Sequence, residues 1–281
     1  MESARSQELK FSIGDIIVSL IADKKHPSRI ENSYKPFISN SHPDICLRLC
    51  YESGVTMPQA EEILFDAAGT WSIGKLNNNY LIETTSSRTL LDSELKTGGI
   101  YVEEEEEESF PFSYPLGELL MIHLLPYYGG LLFHACGIKY GNKGMLFAGT
   151  SGAGKSTIAR LWQNQKDTVV LSDDRIIVRE RNSGFRIYGT PWHGDAGVYS
   201  SQNVPLEKIF FLTHAKTNFT KKINPVDSAL SLIVRSFSAF WDKKGMESTL
   251  KFCTELAQKI PSYELGFLPD ASAIDFIKNQ M

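Results

Sequence analysis

The chain has few of the features of a secreted or membrane-bound protein. Its four cysteines among 281 residues are too few and too scattered for a disulfide scaffold. No apolar run approaches the roughly 18 residues of a membrane span. The start, Met-Glu-Ser-Ala-Arg-Ser-Gln-Glu, lacks the apolar core of a signal peptide. We therefore expect a cytoplasmic protein that does not bind membranes.

The sequence also lacks an excess of positive charge and a clear metal-binding pattern. A formal net charge of −4 argues against nucleic acid as the main partner. Cys46 and Cys50 share one face of a predicted strand, but no second ligand pair follows at zinc spacing. The Asn-Lys-x-Asp segment that reads guanine is missing too. The apolar content of 42% is nevertheless enough for one large or two modest packed domains.

The most informative stretch is a glycine-rich loop, residues 149–156, called the glycine loop below. It fits the phosphate-loop pattern G-x-x-x-x-G-K-[ST]. A short apolar run, Met145 to Ala148, precedes it, and apolar residues at helical spacing follow it. The pattern therefore predicts a strand, a loop and a helix. In such a loop, backbone N–H groups curl around phosphate oxygens at the positive end of the helix.

Individual residues of the glycine loop have expected roles. Lys155 would reach the β and γ phosphates of a nucleotide, and the Ser156 hydroxyl would bind a magnesium ion that bridges them. The expected nucleotide contacts are Gly149, Thr150, Ser151, Gly152, Ala153, Gly154, Lys155, Ser156 and Thr157. The alternative is a glycine-rich turn before a core helix, which leaves the Gly-Lys-Ser ending unexplained.

Two aspartates follow the next apolar strand, Thr168 to Leu171. In a βαβ unit this strand would run parallel to the first, so Asp173 and Asp174 would lie at the same edge as the glycine loop. A nucleotide kinase needs one acidic group for metal and another group to take the proton of the attacking hydroxyl. Both aspartates can share the site only if the strand ends or twists there. The alternative is a turn that caps the strand.

A histidine precedes the glycine loop on a predicted hairpin. Leu131 to Tyr140 reads as a strand, and residues 141–144 supply a four-residue turn. If Tyr140 pairs with Met145, His134 lies opposite Ser151, at the mouth of the loop. A buried core histidine is the alternative, and a slip of one residue would turn the ring away.

The chain divides into two predicted domains. Residues 1–108 read as a β-rich domain of short strands and polar turns, with a hairpin around Asn77 to Asn79. The acidic run Glu103 to Glu108 marks the boundary, either as a solvated linker or as a docking surface for a basic partner. Residues 109–281 read as an α/β domain. The β-rich domain would recognise a partner or substrate, or cover the second domain.

The α/β domain has further predicted elements. They are a buried helix over 116–125, a hairpin of Ile176 to Val178 and Phe185 to Tyr188, a strand over 208–213, helices after Asn224 and over 246–260, a strand over 263–267 and a helix capped by Asp270. The segment Pro191 to Asp195 contains an aromatic ring, an imidazole and a carboxylate. It could close over a ligand, or it could form a rigid turn with Trp192 in the core.

His134, the glycine loop and the run Asp173, Asp174 and Arg175 together resemble the catalytic core of the HPr kinase/phosphorylase family. That family is similar in fold to phosphoenolpyruvate carboxykinases. The resemblance covers about residues 130–180 and implies a P-loop kinase domain that uses ATP and Mg²⁺ to phosphorylate a hydroxyl. In the order of the family, Asp174 is the base, and Asp173 contacts the metal together with Ser156. Lys155 and His134 complete the catalytic set.

The sequence departs from that family at two places. Thr157 stands where authentic HPr kinases usually have Glu, and residues 189–195 replace a glycine-rich signature. The pattern is more similar to HPr-kinase-related proteins of uncertain substrate, some of them associated with peptide natural-product gene clusters. HPr itself is therefore not the expected acceptor.

The sequence thus predicts an ATP-dependent kinase whose acceptor is a serine of a protein or peptide. Three alternatives stay open: a kinase for a small-molecule hydroxyl, a nucleotide-dependent binding switch, and a silent scaffold that retains a nucleotide for stability. A homo-oligomer is compatible with all of them.

Overall fold

The computed structural model describes residues 7–22, 30–51, 57–102 and 110–280. The chain forms two compact units, Met1–Leu124 and Leu125–Met281. The described residues form two large sheets and five α-helices, which confirms the α/β fold class. None of these helices is both long and apolar enough to cross a membrane. The predicted boundary, Glu103 to Glu108, lies outside the described residues.

The first unit is built on an eight-stranded sheet with the order β1-β2-β3-β8-β7-β6-β5-β4. Its elements are β1 (Gln7–Ile13), β2 (Ile16–Ala22), β3 (Ile45–Cys50), β4 (Glu62–Asp66), β5 (Trp71–Leu76), β6 (Asn79–Thr84), β7 (Ser87–Leu91), β8 (Thr97–Val102) and helix α1 (Leu116–Leu124). Asn77 and Asn78 join β5 to β6 with φ of 50° and 66°, as a primed hairpin turn requires. The β-rich character and this hairpin are confirmed.

Residues 110–124 belong to the first unit, whereas the sequence division assigned them to the second domain. An aromatic cluster explains their place: the rings of Phe11, Tyr34 and Phe110 lie 5.1–5.7 Å apart. The Tyr34 hydroxyl also donates to the Phe112 carbonyl at 2.8 Å. Every residue of α1 is buried, as its nearly uninterrupted apolar sequence predicts.

The second unit is built on a nine-stranded sheet. Its strands are β9 (Gly130–Tyr140), β10 (Lys143–Ala148), β11 (Thr168–Ser172), β12 (Arg175–Arg181), β13 (Gly184–Tyr188), β14 (Asn203–His214), β15 (Phe219–Ile223), β16 (Ser236–Phe237) and β17 (Ser262–Phe267). Its helices are α2 (Lys155–Trp162), α3 (Pro225–Arg235), α4 (Lys243–Lys259) and α5 (Ala271–Lys278). The strand order is β10-β9-β12-β13-β14-β17-β15. In addition, β11 and β16 each pair with β9, and β10 pairs with β14.

The strand that leads into the glycine loop is buried on both faces. Leu146 and Ala148 enter one apolar core, and Met145 and Phe147 enter the other, because strand side chains alternate. This explains the continuous apolar run in the sequence. Helices α3 and α5 start where predicted, with Asn224 and Asp270 as side-chain N-caps.

The turn between β9 and β10 is shorter than predicted. Tyr140 pairs with Lys143 and not with Met145, so the turn has two residues and not four. His134 therefore lies opposite the first residue of the loop: the Gly149 N–H donates to the His134 carbonyl at 3.5 Å. The prediction that His134 faces Ser151 is wrong by two residues. Because side-chain direction repeats every two residues, the ring still points to the loop.

Strand β11 has the predicted direction, although it is not a hydrogen-bonded neighbour of β10. It pairs antiparallel with β9, which itself pairs antiparallel with β10. Strands β10 and β11 therefore run in the same direction with β9 between them. Their carboxyl ends lie at one edge, so the glycine loop and the aspartate pair share that edge.

The segment after β13 returns to β11 through a tight backbone contact at Gly189. The Ser200 N–H donates to the Leu171 carbonyl at 2.8 Å, and the Gly189 N–H donates to the Gln202 carbonyl at 3.1 Å. A Cβ on Gly189 would lie 1.9 Å from the Ser200 carbonyl oxygen and 2.6 Å from that of Leu171. Both neighbours are backbone atoms, so only a backbone shift could make room.

We expect Gly189→Ala to lower the free energy of unfolding by about 1–3 kcal/mol, as overpacking of this kind does. Urea unfolding measures it. Gly197→Asn is the matched control, because Gly197 has a φ of 65°, which Asn tolerates, and no atom lies within 4 Å of an added Cβ. Equal stability of the Gly189→Ala variant and the wild type would contradict the tight contact.

Candidate active site

The glycine loop connects β10 to α2 and depends on left-handed glycines. Gly152 and Gly154 have φ of 79° and 103°. A Cβ on Gly154 would also lie 2.8 Å from the Phe267 ring, which packs beneath the loop. These positions require glycine, because other residues are strained at such φ values. The loop therefore has the backbone freedom that a phosphate cradle needs.

Lys155 is folded over this loop. Its Nζ donates to the carbonyl oxygens of Gly149 and Thr150, each at 3.1 Å, and its side chain is only 6% exposed. Burial lowers the pKa of Lys155, the nearby Asp174 charge opposes that shift, and the Arg175 charge adds to it. A cation is thus held at the loop, where it could pair with a bound anion.

The strand breaks at the two aspartates. Strand β11 ends at Ser172 and β12 begins at Arg175, so Asp173 and Asp174 are free to take different directions. This break meets the condition under which both carboxylates can share one site.

Asp173 is fully buried and joins three segments. One carboxylate oxygen accepts from the Gly194 N–H at 2.9 Å, and the other accepts from the Ala196 N–H at 2.8 Å. The second oxygen also accepts from the Ser156 hydroxyl at 3.4 Å. Asp173 therefore reaches the predicted metal position through Ser156 and is not part of the cavity surface.

Asp174 faces the cavity and has a separate partner for each oxygen. Oδ1 lies 2.9 Å from His134 Nε2 and 4.0 Å from Lys155 Nζ, and Oδ2 forms an ion pair with Arg175 Nη1. Burial would raise the pKa of Asp174, but the His134 hydrogen bond and the positive charges of Arg175 and Lys155 lower it overall. Asp174 is therefore ionised at neutral pH.

These groups surround an open cavity of about 440 Å³. It is lined by His134, Ser151, Gly152, Gly154, Lys155, Ser156, Thr157, Arg160, Asp174, Arg175, Gly194 and Asp195. Of the sequence-predicted site residues, Gly149, Thr150, Ala153 and Asp173 do not line this cavity: Thr150 is exposed outside it, and the other three are buried. The structure thus brings the glycine loop, His134 and Asp174 together at one cavity.

Sequence reasoning assigned no role to two residues at or beside the cavity, Arg175 and Phe237. Arg175 stood beside the aspartates in the sequence but received no role. Phe237 comes from the distant strand β16, yet its ring lies 4.2 Å from the Arg175 guanidinium carbon and 6.0 Å from the His134 ring. Spacing could not have found Phe237, because only sheet pairing brings it to the site.

The Pro-Trp-His-Gly-Asp segment forms the rigid turn that was one of its two predicted alternatives. Trp192 is buried, and its carbonyl accepts from the Ser172 hydroxyl at 2.9 Å, as in a rigid turn. Gly194 and Asp195 nevertheless face the cavity, and the exposed His193 stacks on Tyr199. The turn therefore anchors one wall of the cavity.

The donor atoms present fit magnesium better than a protein-only metal cage. No cluster of three or more His, Cys, Asp or Glu side chains that could hold a metal occurs among the described residues. Mg²⁺ usually keeps several waters and binds one or two protein ligands together with substrate phosphates. The hydroxyl of Ser156, backed by the buried Asp173 carboxylate, matches that requirement.

The lowered pKa of Asp174 predicts a pH-dependent contribution to stability. A carboxyl whose pKa is lower in the folded state stabilises above its unfolded value, near 3.8, and loses that effect as pH falls through the folded value. We expect wild type to be more stable than Asp174→Asn at neutral pH, and the difference to decline below the ordinary carboxyl pKa and to vanish as pH falls through the lower pKa of the folded state. Urea midpoints measured across that range test this; a difference independent of pH would contradict it.

One family model matches the second half of the chain. The family model described as SynChlorMet cassette protein ScmC matches residues 118–268. No curated protein matches the chain. The matched range includes the glycine loop, both aspartates, His134 and Phe237, and it spans more than half of the chain. The chain therefore belongs to the ScmC family of SynChlorMet cassette proteins.

Proposed function

We propose that this protein is an ATP-dependent kinase that transfers the γ-phosphate to a hydroxyl group, with a P-loop domain resembling that of HPr kinases. The single observation that carries the proposal is the position of Asp174. Its carboxylate lies 4.0 Å from the Lys155 ammonium group at the glycine loop. A proton acceptor thus lies beside a candidate phosphate-binding cation, which a purely nucleotide-binding switch does not need.

On the donor side, the glycine loop and Lys155 bind the phosphates of ATP. Lys155 exchanges its contacts with the Gly149 and Thr150 carbonyls for phosphate oxygens, which are charged and therefore stronger acceptors. Ser156 would hold Mg²⁺ directly and Asp173 would act behind it, through the Ser156 hydroxyl or a water. When bound, Mg²⁺ neutralises charge on the phosphates.

On the acceptor side, Asp174 takes the proton of the attacking hydroxyl. The acceptor oxygen forms a bond to the γ phosphorus, the bond to the leaving phosphate oxygen breaks, and ADP departs. His134 donates to Asp174 Oδ1 and so fixes the direction of the carboxylate. The role of His134 is therefore to orient the base.

The proposed acceptor is a serine of a protein or peptide. The resemblance to HPr-kinase-related proteins supports a polypeptide acceptor. The family description refers to a cassette, which makes polypeptides encoded by neighbouring genes the first acceptors to test. Mass spectrometry after incubation with ATP and Mg²⁺ would show an added phosphate, and the modified residue would distinguish a polypeptide from a small-molecule acceptor.

Lys155→Ala should abolish transfer while the fold survives, because it removes a charge-assisted contact to the transferring phosphate. Ser156→Ala should weaken Mg²⁺-dependent ATP binding. Transfer rates, ATP titrations and thermal unfolding are the measurements. Lys166→Ala, which removes an exposed lysine outside the cavity lining, is the control. Near-normal transfer by Lys155→Ala would remove the glycine loop from the active site.

Changing each aspartate to asparagine should affect a different property of the protein. Asp174→Asn should slow transfer ~10²- to 10⁴-fold with little loss of ATP affinity, because the variant lacks the proton acceptor. Asp173→Asn should raise the Mg²⁺ concentration required and lower thermal stability, because it disturbs contacts to Gly194 and Ala196. If neither change slows transfer at saturating ATP and Mg²⁺, the proposed chemistry is wrong.

A further inference from the structure

Arg175 has two different partners at the cavity wall. Its Nη1 forms an ion pair with Asp174 Oδ2, and its guanidinium carbon lies 4.2 Å from the centre of the Phe237 ring. Its side chain is 19% exposed and lines the cavity. The guanidinium group is therefore held between a carboxylate and an aromatic ring, with access to any ligand in the cavity.

Pairing on β9 explains how these residues meet. Arg175 on β12 is opposite His134, and Phe237 on β16 is opposite Leu132. Both β12 and β16 pair with Leu132, so they lie on opposite sides of β9. Residues 132 and 134 point to the same face, and opposed residues share a face. The Phe237 ring therefore lies beside His134 and reaches across β9 to Arg175.

We propose that Arg175 is a further catalytic residue of this kinase, which binds the transferring phosphoryl group while Phe237 positions its guanidinium group. This inference rests on the proposed function. A planar guanidinium group matches phosphate oxygens in a bidentate geometry, and an arginine in this role stabilises the charge of the transition state. Stacking on an aromatic ring holds the plane of the guanidinium group without using its N–H groups.

The movement that this role requires also solves a problem at Asp174. Both carboxylate oxygens are occupied, Oδ1 by His134 and Oδ2 by Arg175. When the guanidinium group moves to the phosphoryl oxygens, Oδ2 becomes available. It takes the hydroxyl proton as the bond from the acceptor oxygen to phosphorus forms and the bond to the leaving phosphate oxygen breaks. One displacement of Arg175 thus provides both charge stabilisation and a free base.

The other cations of the cavity are placed for different tasks. Lys155 lies on the carbonyls of the glycine loop. Arg160 is on the exposed side of α2, and its Nη2 donates to the Asp195 carbonyl at 3.3 Å. Arg160 is therefore a matched comparison, since it is an arginine of the same cavity without the Asp174 contact.

The test compares binding of ADP with Mg²⁺ to binding of ADP with Mg²⁺ and aluminium fluoride, which imitates the transferring phosphoryl group and needs no acceptor. We expect Arg175→Gln to leave ADP affinity nearly unchanged and to weaken binding of the fluoride complex about 10²-fold. Phe237→Leu should weaken binding of the fluoride complex by a smaller factor than Arg175→Gln does. Phe237→Tyr should bind this complex like wild type, because it retains the ring. Arg160→Gln should change both affinities by the same factor.

Each outcome separates the inference from the proposed function. If wild type binds no ADP, or if Lys155→Ala binds both complexes like wild type, the proposed function and this inference are both wrong. If Lys155→Ala weakens ADP binding but Arg175→Gln keeps the wild-type ratio of the two affinities, only the inference is wrong. Arg175→Lys serves if Arg175→Gln does not fold: it keeps the charge, lacks the planar fork, and should still weaken the fluoride complex about tenfold. Loss with Phe237→Leu that Phe237→Tyr does not restore would overturn the positioning role.

Discussion

The site depends on one buried carboxylate. Asp173 has no exposed surface, and a polar group in such a place is tolerated only when its oxygens are well hydrogen-bonded. The N–H groups of Gly194 and Ala196 and the hydroxyl of Ser156 provide those bonds. Asp173 therefore holds the wall of the cavity against the start of α2. Ser156 and Gly194, which both line the cavity, are joined through this carboxylate.

The neighbouring carboxylate has the opposite character, although both follow the same strand. Asp174 is partly exposed. The hydrogen bond from His134 and the nearby charges of Arg175 and Lys155 keep its pKa low. A base with a low pKa is ionised but weak, so the proposed reaction requires the pKa of Asp174 to rise when ligands bind. Departure of Arg175 would have this effect, because it removes one of the positive charges that lower the pKa of Asp174. The adjacent aspartates are thus suited to separate tasks, one structural and one chemical.

Much of the site could be predicted because its chemistry is local in sequence. The glycine loop, the capped helices and the strand before the aspartates each follow from a short pattern. The register of β9 and β10 was wrong by two residues because Gly141 and Asn142 form a tighter turn than the four polar residues suggested. Burial of Asp173 and the approach of Phe237 could not be predicted, because both result from pairing between segments far apart in the sequence.

Strand β9 pairs with β10, β11, β12 and β16, and these strands position the loop, the carboxylates and Phe237. Opening the backbone of the candidate site would therefore break hydrogen bonds to β9. The amides of β9 should consequently exchange with solvent mainly through global unfolding, among the slowest of the second unit. The backbone of the site should therefore stay folded for as long as the sheet does. Adjustment to ligands falls to side chains, and a guanidinium group resting on an aromatic ring can move without any change in the sheet.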